Sequence, residues 1–549
     1  MLPRTLALGF VLSASLLVPL AVSAASPAGS GASPAGAGAA LFLVNCAACH
    51  QANGDGIKGI FPPLAKSDFL MADKERSIRI AIQGISGPLV VNGTEYQGVM
   101  PAPVAMEDQQ IADVLTYARN AWGNHGEPVT AAEVKKVRTV LAATDSEQND
   151  PFAPLPKAPA GYQLREVVRL PVHGLKLATV PGMDWILVLT NSGDLYRLEP
   201  ATGNLARVLA AKDYAELAAG NLSVLGMTID SKKRLYLVTN QRISEQPHHV
   251  NRVVIFRSEP LDSTGVPQKM SAWLRTSYPW GFSYYNHGVC HIAEGPDGMI
   301  YVSSGARTDG GEVDGGIFKN DTVYWKGGET DYTAAIWRID PTSDVPKIEV
   351  FARGIRNAWS FAWNDRQELF SVSNGPDAHY PEELDFVERG KHYGFPYQYA
   401  DAPASEKPYP YTPDVPAGLV VTPAIRNFGP AAGGSPEKPI ATFDAHSSPA
   451  GMVFCGPEWP ANLRGKFLIG RFGNFLKDDS YGYDILAVDL QRNPAGVYEA
   501  RVNTFFAPLA RPIDFLQAGK KFYILEYTRP VGKHGSRPLN PGRILELTW

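Results

Sequence analysis

The spacing of hydrophobic positions changes near residue 161 of this 549-residue chain. Before that point, over residues 40–124, apolar side chains recur at helical spacing, as in MEDQQIADVLTYARNAWG, where Gly123 is predicted to end the helix. After it, short runs rich in β-branched and aromatic residues predict strands, among them DWILVLTNSGDLYRLEP, KRLYLVTN and GKFLIGRFG. The pattern therefore predicts a small helical part followed by a larger part built from strands.

The predicted strands come in a repeating unit of loop, strand, turn and strand. Six such units follow one another at irregular intervals of roughly 45 to 95 residues, which is the recurrence expected of propeller blades with insertions. The 52 glycines and 45 prolines fit the many turns of such a fold. We therefore predict six blades of four strands each over residues 161–549; a pair of β-sandwiches is the less favoured alternative.

The start of the chain is predicted to be a processed leader. MLPRTLALGFVLSASLLVPLAVSA combines a positive start, an apolar run and small final residues, which predicts a secretory signal peptide over residues 1–24. A membrane anchor is the alternative, but Ser13, Ser15 and Pro19 interrupt its apolar run. The small-residue stretch at 25–39 is predicted to be a linker. No second apolar stretch is long enough for a bilayer, so no transmembrane segment is expected after cleavage.

The net charge bears on the possible binding partners of the protein, and the cysteine content bears on whether it contains a disulfide. The formal net charge is −4, from 51 basic and 55 acidic residues, which gives no reason to expect a nucleic-acid partner. Of the four cysteines, Cys290 and Cys455 lie in the strand-rich part. An exported protein could join them in a disulfide, and two separate buried thiols are the alternative. The sequence leaves both open.

The segment NCAACHQANGDG contains two cysteines, Cys46 and Cys49, followed directly by His50. This C-x-x-C-H spacing is typical of covalent haem attachment, in which both thiols bond the porphyrin and the histidine ligates iron. A methionine sulfur on the far side of iron raises the reduction potential. Met100, in the predicted loop before the last helix, is the expected second ligand. Met106 is the alternative, and either methionine could instead be core filler.

With the Pro62-Pro63-Leu64 loop and the later GVMPA, the attachment motif resembles class I cytochrome c across residues 40–124. The proline-rich end of residues 125–160 predicts a linker to the second domain. The resemblance, together with the strand pattern, implies a multidomain protein in which a small all-α cytochrome c domain precedes an all-β six-bladed β-propeller at residues 161–549.

The strand-rich part resembles the quinoprotein sugar dehydrogenases, which include soluble glucose dehydrogenase, aldose sugar dehydrogenase and sorbosone dehydrogenase. Two stretches carry the resemblance, NHGVCHIAEGPDGMIYVSSGA and GIRNAWSFAWNDRQELFSVSNGPDAHYPEELDFVERGKHYGFP. It implies pyrroloquinoline quinone, PQQ, as a cofactor and His287 as the general base, a role that suits imidazole. It also implies Arg356 against the quinone oxygen that gains charge, with Asn357 and Asn221 as further cofactor-binding residues.

The same resemblance implies bound calcium. The carbonyls of Gly375 and Pro376 are expected to hold a Ca²⁺ that polarises the quinone, since oxygen ligands suit this cation. Glu382, Glu383 and the carbonyl of Tyr393 are expected to bind a second, structural Ca²⁺. A solvated acidic loop is the equal alternative for these last three residues.

Several positions depart from the family pattern. Asn286 stands where the family often has an aspartate before the base, and Gly473 lies near the family's cofactor-binding lysine. Arg471 is expected to replace that charge if it faces the same pocket. Arg511 represents one of two closely spaced arginines, and the other position is Ile513. These changes predict a subfamily with an altered substrate pocket or altered quinone binding.

The combined expectation is a periplasmic or secreted oxidoreductase. It would oxidise a sugar or a related aldehyde or alcohol through PQQ and pass electrons to its own haem c. A downstream electron acceptor, namely a cytochrome, a quinone or an oxidase, would then remove them. A cytochrome cd1-like reductase is one alternative, although that fold has eight blades. A non-catalytic redox or binding propeller that has lost the quinone is the other.

Overall fold

The computed structural model of the protein describes residues 34–58, 61–100, 106–144, 152–245, 248–281, 287–312, 327–403, 406–407, 409–474, 481–529 and 540–549. The predicted signal peptide at residues 1–24 and most of the predicted linker at 25–39 lie outside them. None of the helices formed by these residues combines the length and apolar character needed to cross a membrane.

The N-terminal part consists of helices and one hairpin. Its helices are α1 (Pro34–Asn45), α2 (Ala47–His50), α3 (Asp68–Ala72), α4 (Lys74–Gln83), α5 (Asp108–Ala118) and α6 (Ala131–Thr144), and its strands are β1 (Ile85–Val91) and β2 (Thr94–Met100). Helix α1 packs closely on α5, because a Cβ atom at Gly38 would lie 2.2 Å from the carbonyl oxygen of Asp113. The carboxylate of Asp73 begins α4 by accepting a hydrogen bond from the Arg76 amide at 2.9 Å.

This part differs from the prediction in three places. The segment ALFLVNCAACH, which its apolar spacing predicts to be one helix, is divided by a turn at Cys46 that separates α1 from α2. The β1–β2 hairpin stands within a domain that was expected to be entirely helical. Helix α6 lies in the stretch predicted as a linker, where Val134, Val137 and Leu141 at helical spacing are buried in the cytochrome core beside Ile111 and Leu115. Burial of these apolar side chains stabilises the helix.

The strand-rich part begins with β3 (Gln163–Arg169). Its first three blades contain β4 (Gly174–Thr179), β5 (Ile186–Thr190), β6 (Leu195–Glu199) and β7 (Asn204–Leu209); β8 (Asn221–Ile229), β9 (Arg234–Glu245), β10 (His248–Pro260) and β11 (Met270–Pro279); and β12 (Val289–Glu294), β13 (Ile300–Ser304), β14 (Ala335–Ile339) and β15 (Glu349–Arg353). Two short 3-10 helices, Ala211–Asp213 and Leu217–Ala219, connect β7 to β8.

The last three blades contain β16 (Ala358–Trp363), β17 (Leu369–Ser373) and β18 (Glu383–Val387); β19 (Arg426–Pro430), β20 (Ile440–Ala441), β21 (Pro449–Phe454), β22 (Phe467–Arg471), β23 (Asp484–Arg492) and β24 (Tyr498–Phe506); and β25 (Pro512–Ala518), β26 (Lys521–Glu526) and β27 (Arg543–Thr548). Strand β3 pairs antiparallel with β27, so the start of the propeller completes its last blade and closes the ring. The prediction of a six-bladed propeller is confirmed.

The expectation of four strands in every blade is wrong for two blades. In the described residues the fourth blade has three strands, whereas the fifth has six because β19 pairs in parallel with β24 and β20 pairs with β19. The long insertion after β18 therefore adds its strands to the next blade instead of to its own. Cys290 and Cys455 are separate buried thiols in different blades, which resolves the choice that the sequence left open.

The innermost strand of each blade is the first strand of that blade, apart from the added β19 and β20. These six strands, β4, β8, β12, β16, β21 and β25, contact one another in a closed ring around the central channel. They run in the same direction, so their first residues all lie at one end of the channel. We call this end the entrance.

Candidate functional site

A largely apolar cavity lies beside the attachment motif. Cys46, Cys49, His50 and Met100 all line it. The Nδ1 atom of His50 donates a hydrogen bond to the carbonyl oxygen of Pro62 at 2.9 Å, which leaves Nε2 as the nitrogen that can ligate a metal. Burial lowers the pKa of His50, so the imidazole is neutral as a ligand must be. The residues present therefore fit a covalently bound haem.

The two methionines considered as second ligand occupy different surroundings. Met100 is the last residue of β2 and lines the cavity, although the sequence placed it in a loop. Met106 is buried in the core formed with Ile111 and Val134. The structure thus places Met100, and not Met106, on the wall shared with His50.

At the propeller entrance, His287 precedes β12 and Arg356 precedes β16. The Nδ1 atom of His287 lies 3.2 Å from the carbonyl oxygen of Ala306, and the Ala306 amide donates to the Arg356 carbonyl at 2.7 Å. A proton on Nδ1 leaves Nε2 able to accept one. Burial, and then the charge of Arg356, hold the pKa of His287 well below its ordinary value. Asn286, where the family's aspartate is missing, lies outside the described residues.

The Arg356 guanidinium is held by several oxygen atoms. Its Nε atom donates to the carbonyl of Asp309 at 3.0 Å and its Nη2 atom to the carboxylate of the same residue at 2.5 Å. Its Nη1 atom donates to the carbonyls of Asn374 and Gly375 at 3.1 and 2.5 Å. Asp309 is therefore a partner of the predicted site that sequence reasoning missed, since it lies outside both matched stretches. Next to Arg356, the buried Oδ1 atom of Asn357 has no hydrogen-bond partner among the described residues.

The residues expected to bind calcium make contacts within the protein. The Gly375 carbonyl accepts from Arg356, and the Gly375 amide donates to the Glu382 carboxylate. The carboxylate of Glu383 accepts instead from the Ala400 amide at 2.9 Å, so the two adjacent acids bind different backbone groups. Burial raises the pKa of both acids to about 7.

Pro376 follows Gly375 in the same turn, and Tyr393 is buried with its hydroxyl donating to the carbonyl of Phe386 at 2.6 Å. Within the described part of the chain, no three His, Cys, Asp or Glu side chains are arranged to hold a metal. One nearby group is nevertheless poorly satisfied. Asp385 is 1 % exposed, and neither of its carboxylate oxygens has a hydrogen-bond partner among those residues.

The two arginines of the fifth and sixth blades differ in their partners. Arg471 donates to Asp484 at 2.8 and 2.7 Å and to Asp444 at 2.7 Å, so its charge is balanced by two carboxylates and is not offered to the entrance. Arg511 precedes β25 and donates to backbone carbonyls, including that of Gly473 at 3.3 Å. A Cβ atom at Gly473 would lie 2.6 Å from the Tyr483 ring, and its φ of +85° also disfavours a residue with a side chain there.

Asn221 is the first residue of β8 and so lies at the same entrance. Its Nδ2 atom donates to the Oδ1 atom of Asn45 at 2.7 Å. Asn45 ends α1 and directly precedes Cys46 of the attachment motif. The cytochrome domain therefore contacts the propeller through its haem-attachment segment, at the end of the channel where His287 and Arg356 lie. No feature of the sequence signals this contact.

A second polar group lies deeper in the channel. Lys176 of β4 is 2 % exposed, and its Nζ atom lies 3.4 Å from the Asp514 carboxylate of β25 and 3.4 Å from Nδ1 of His291 of β12. Burial and then the charge of Lys176 lower the pKa of His291 well below its ordinary value. His291 is thus engaged below the entrance and does not share the position of His287.

Two family models match the chain. One, described as cytochrome c, covers residues 35–122, and the other, described as glucose/sorbosone dehydrogenase, covers residues 172–475. Cytochrome c-552 of Thermus thermophilus is 41% identical over 102 residues, which are 17% of this chain and 78% of that protein. The cytochrome c subunit of the quinone alcohol dehydrogenase of Gluconobacter oxydans (strain 621H) is 36% identical over 108 residues, which are 19% of this chain and 22% of that subunit.

Solved structures with a similar arrangement of strands include two aldose sugar dehydrogenases. The PQQ-bound enzyme from Streptomyces coelicolor is 19% identical, with 71% of this chain and 99% of that chain covered and a TM-score of 0.46. The apo-form of the soluble enzyme from Escherichia coli is 16% identical, with 70% and 99% covered and a TM-score of 0.45.

The glucose/sorbosone dehydrogenase model spans more than half of the 549 residues, and the cytochrome c model falls on the helices that surround the cavity. The resemblance expected from the sequence is confirmed for both parts. The chain therefore belongs to the glucose/sorbosone dehydrogenase family and carries a cytochrome c domain ahead of its six-bladed propeller.

Proposed function

We propose that the protein is an exported dehydrogenase that oxidises a sugar, or a related aldehyde or alcohol, at the propeller entrance and passes the electrons to its own haem. The observation that carries this proposal is the contact between Asn45 and Asn221, because it joins the haem-attachment segment to the entrance. Export is supported by the leader-like pattern of residues 1–24 and by covalent haem attachment.

The entrance offers groups that fit PQQ. The buried Asn357 Oδ1 atom lacks a partner among the described residues, so the site has an unfilled polar position, and Arg356 lies beside it, paired with a single carboxylate, that of Asp309. Arg356, Asn357 and Arg511 are the residues proposed to hold the cofactor. Asn221 now has a partner in the cytochrome domain, and Arg471 is balanced by carboxylates, so neither is needed for this role. When bound, PQQ supplies an acceptor for the hydride that leaves the substrate.

His287 is proposed to take the proton of the substrate hydroxyl. The Ala306 carbonyl holds Nδ1 of the imidazole and so presents Nε2 as the proton acceptor. The low pKa of the ring keeps it neutral, which a base requires. The Ala306 carbonyl thus performs the orienting task that a carboxylate before the histidine would otherwise perform.

Calcium is part of the same proposal. The carbonyls of Gly375 and Pro376 would hold the ion at the entrance, where Arg356 now donates to Gly375 and would have to yield that contact. Glu382, Glu383 and the Tyr393 carbonyl are proposed for the second ion. The unpartnered carboxylate of Asp385, on the same strand as Glu383, supports a cation nearby, since a buried carboxylate without a partner is costly.

Cys46 and Cys49 would attach the haem covalently, and His50 and Met100 would ligate its iron. When bound, the haem would supply a one-electron acceptor, so a two-electron oxidation would need two electron transfers. A downstream acceptor, which is a cytochrome, a quinone or an oxidase, is proposed to reoxidise the haem.

A quinone-free redox or binding propeller is the second candidate. It is favoured by Arg471, whose charge two carboxylates balance, and by the Gly375 carbonyl, which Arg356 occupies. Titration of the protein with PQQ and Ca²⁺, followed by absorbance and by haem reduction after adding an aldose, separates the two. Saturable PQQ binding with Ca²⁺-dependent haem reduction supports the dehydrogenase. Absence of PQQ binding in the presence of excess Ca²⁺ refutes it.

A further inference from the structure

The contact between the two domains includes a buried cation from the propeller. Arg242 of β9 pairs with Asn221 in the β8–β9 register, so it stands next to the residue that binds Asn45. It is 8 % exposed. Strand β9 contacts helix α1, whose last residue Asn45 directly precedes Cys46. Arg242 is therefore placed near the start of the haem-attachment motif.

The surroundings of Arg242 do not neutralise it in the usual way. Its guanidinium carbon lies 5.4 Å from the centroid of the Trp280 ring, a cation–π arrangement. Its Nε atom is buried and has no hydrogen-bond partner among the described residues. A Cβ atom at Gly220 would lie 2.0 Å from the Arg242 carbonyl, so the neighbouring chain presses on this backbone. The domain contact thus includes a buried cation that lies beside an aromatic ring.

The partner side of the contact is equally fixed. The Asn45 amide donates its own Nδ2 proton to the Leu41 carbonyl of α1 at 2.9 Å, which orients Oδ1 toward Asn221. Cys46 follows immediately. The position of Arg242 relative to the attachment motif is therefore set by a short chain of hydrogen bonds instead of by loose surface contact.

We propose that Arg242 is an electrostatic tuning residue for the haem, a cation supplied by the propeller that raises the reduction potential of the iron in the docked cytochrome domain. Reduction lowers the charge on the iron by one unit, so a nearby fixed positive charge favours the ferrous form. The low dielectric of a buried contact strengthens that effect. The inference rests on the part of the proposed function in which Cys46, Cys49 and His50 hold a haem.

The proposed effect of Arg242 would favour one direction of electron transfer. A raised potential makes the haem a better acceptor of electrons that leave the propeller entrance. The same contact would thus both shorten the path and favour transfer toward the haem.

The test is a redox titration of the full-length protein carrying its covalent haem, with mediators and haem absorbance as the readout. Arg242→Gln is expected to lower the ferrous-to-ferric ratio at a given potential by on the order of tenfold, which is about 59 mV for one electron. Arg242→Lys keeps the charge and is expected to restore most of the wild-type value. Arg275→Gln is the matched control, because Arg275 is an exposed arginine on the outermost strand of the same blade.

A wild-type potential in Arg242→Gln overturns the inference. So does an equal fall in Arg242→Gln and Arg242→Lys, since that result would indicate a change of structure instead of charge. The titration uses no sugar, PQQ or Ca²⁺, so its outcome is separate from the dehydrogenase proposal. Sugar oxidation with no shift refutes only this inference, and a charge-dependent shift without sugar oxidation refutes only the dehydrogenase.

Discussion

At the scale of single residues, a backbone carbonyl at the entrance holds the imidazole proposed as the base. Asn286 precedes His287 in the sequence, and the Ala306 carbonyl lies 3.2 Å from His287 Nδ1. A carbonyl fixes the tautomer as a carboxylate would, but it adds no full negative charge to stabilise the protonated ring. The burial of His287 and the charge of Arg356 act in the same direction by lowering its pKa.

Removing the imidazole tests the role of His287 directly. We expect His287→Ala to slow reduction of the quinone by about 10²–10⁴-fold, the usual contribution of a positioned base. Haem reduction by an artificial donor should not change, because the haem cavity belongs to a separate domain. Stopped-flow measurement of the two steps gives both rates. Wild-type quinone reduction with a slower quinone-to-haem step would show that His287 is not the base.

The low pKa of His287 predicts an unusual pH profile. A base whose pKa lies well below its ordinary value of about 6.5 remains unprotonated as the pH falls through 6.5. We therefore expect the rate of quinone reduction to be flat through that range and to fall only at lower pH. The profile should be measured on the pre-steady-state reduction step. A rate that halves near pH 6.5 would contradict a His287 pKa held well below its ordinary value.

The second axial ligand is testable at Met100. Replacing it by alanine should abolish the methionine-to-iron charge-transfer band and lower the reduction potential, because a thioether ligand raises that potential. Met106→Ala is the matched control and should keep the band while lowering the stability of the core in which it is buried. Retention of the band in Met100→Ala and its loss in Met106→Ala would reverse the assignment.

A site residue could be predicted from the sequence only where the local spacing of residue types forms a recognisable motif. Cys46, Cys49 and His50 form a contiguous motif, and the structure puts all three on one cavity. The partners of Arg471 and of Asn221 are distant in sequence, at Asp444 and Asp484 and at Asn45, so no local pattern reveals them. The roles proposed for the PQQ and calcium residues remain predictions.

At the scale of elements, α6 is a helix within the stretch that was predicted to be a linker. Its sequence AAEVKKVRTVLAAT stands before a proline-rich stretch, and three of its apolar side chains, one or two turns apart, are buried. Residues of a linker would not be buried in this way. The segment therefore contributes to the stability of the cytochrome domain.

Two valines of α6 form a matched pair for testing this contribution. Val134 is 0 % exposed and Val140 is 41 % exposed. We expect Val134→Ala to lower the free energy of unfolding of the cytochrome domain by about 2 kcal/mol through lost burial and a residual cavity, and Val140→Ala to change it by less than about 0.5 kcal/mol. Denaturant titrations followed by haem absorbance measure both. Equal effects of the two changes would contradict the packing of α6.

The strands were easier to predict than their grouping. The hairpin at the centre of each blade has alternating apolar and polar residues and a turn, and this pattern can be recognised in the sequence. The β1–β2 hairpin was missed inside a helical domain, and β19 and β20 were missed because they are short and pair with the next blade. Pairing between distant segments is a property of the assembled sheet and has no signature in a single strand.

At the scale of the whole molecule, two contacts between distant parts of the chain determine how the protein is assembled. The pairing of β3 with β27 closes the propeller ring, and the contact of Asn45 with Asn221 places the haem-attachment segment over the channel entrance. Closure of the ring was predictable in general, since a propeller needs a closed ring. The contact between the domains was not predictable, because it depends on how the domains are placed relative to one another. Together they bring the two proposed redox sites to one end of the molecule.

The central claim is that electrons pass from the entrance to the haem of the same chain. The most direct measurement is anaerobic stopped-flow mixing of the PQQ- and Ca²⁺-loaded protein with a saturating aldose, following haem reduction at several protein concentrations. The account predicts first-order haem reduction whose rate constant does not change with protein concentration, and none when PQQ and Ca²⁺ are omitted. A rate constant that rises in proportion to protein concentration, or haem reduction by sugar without PQQ and Ca²⁺, would contradict it.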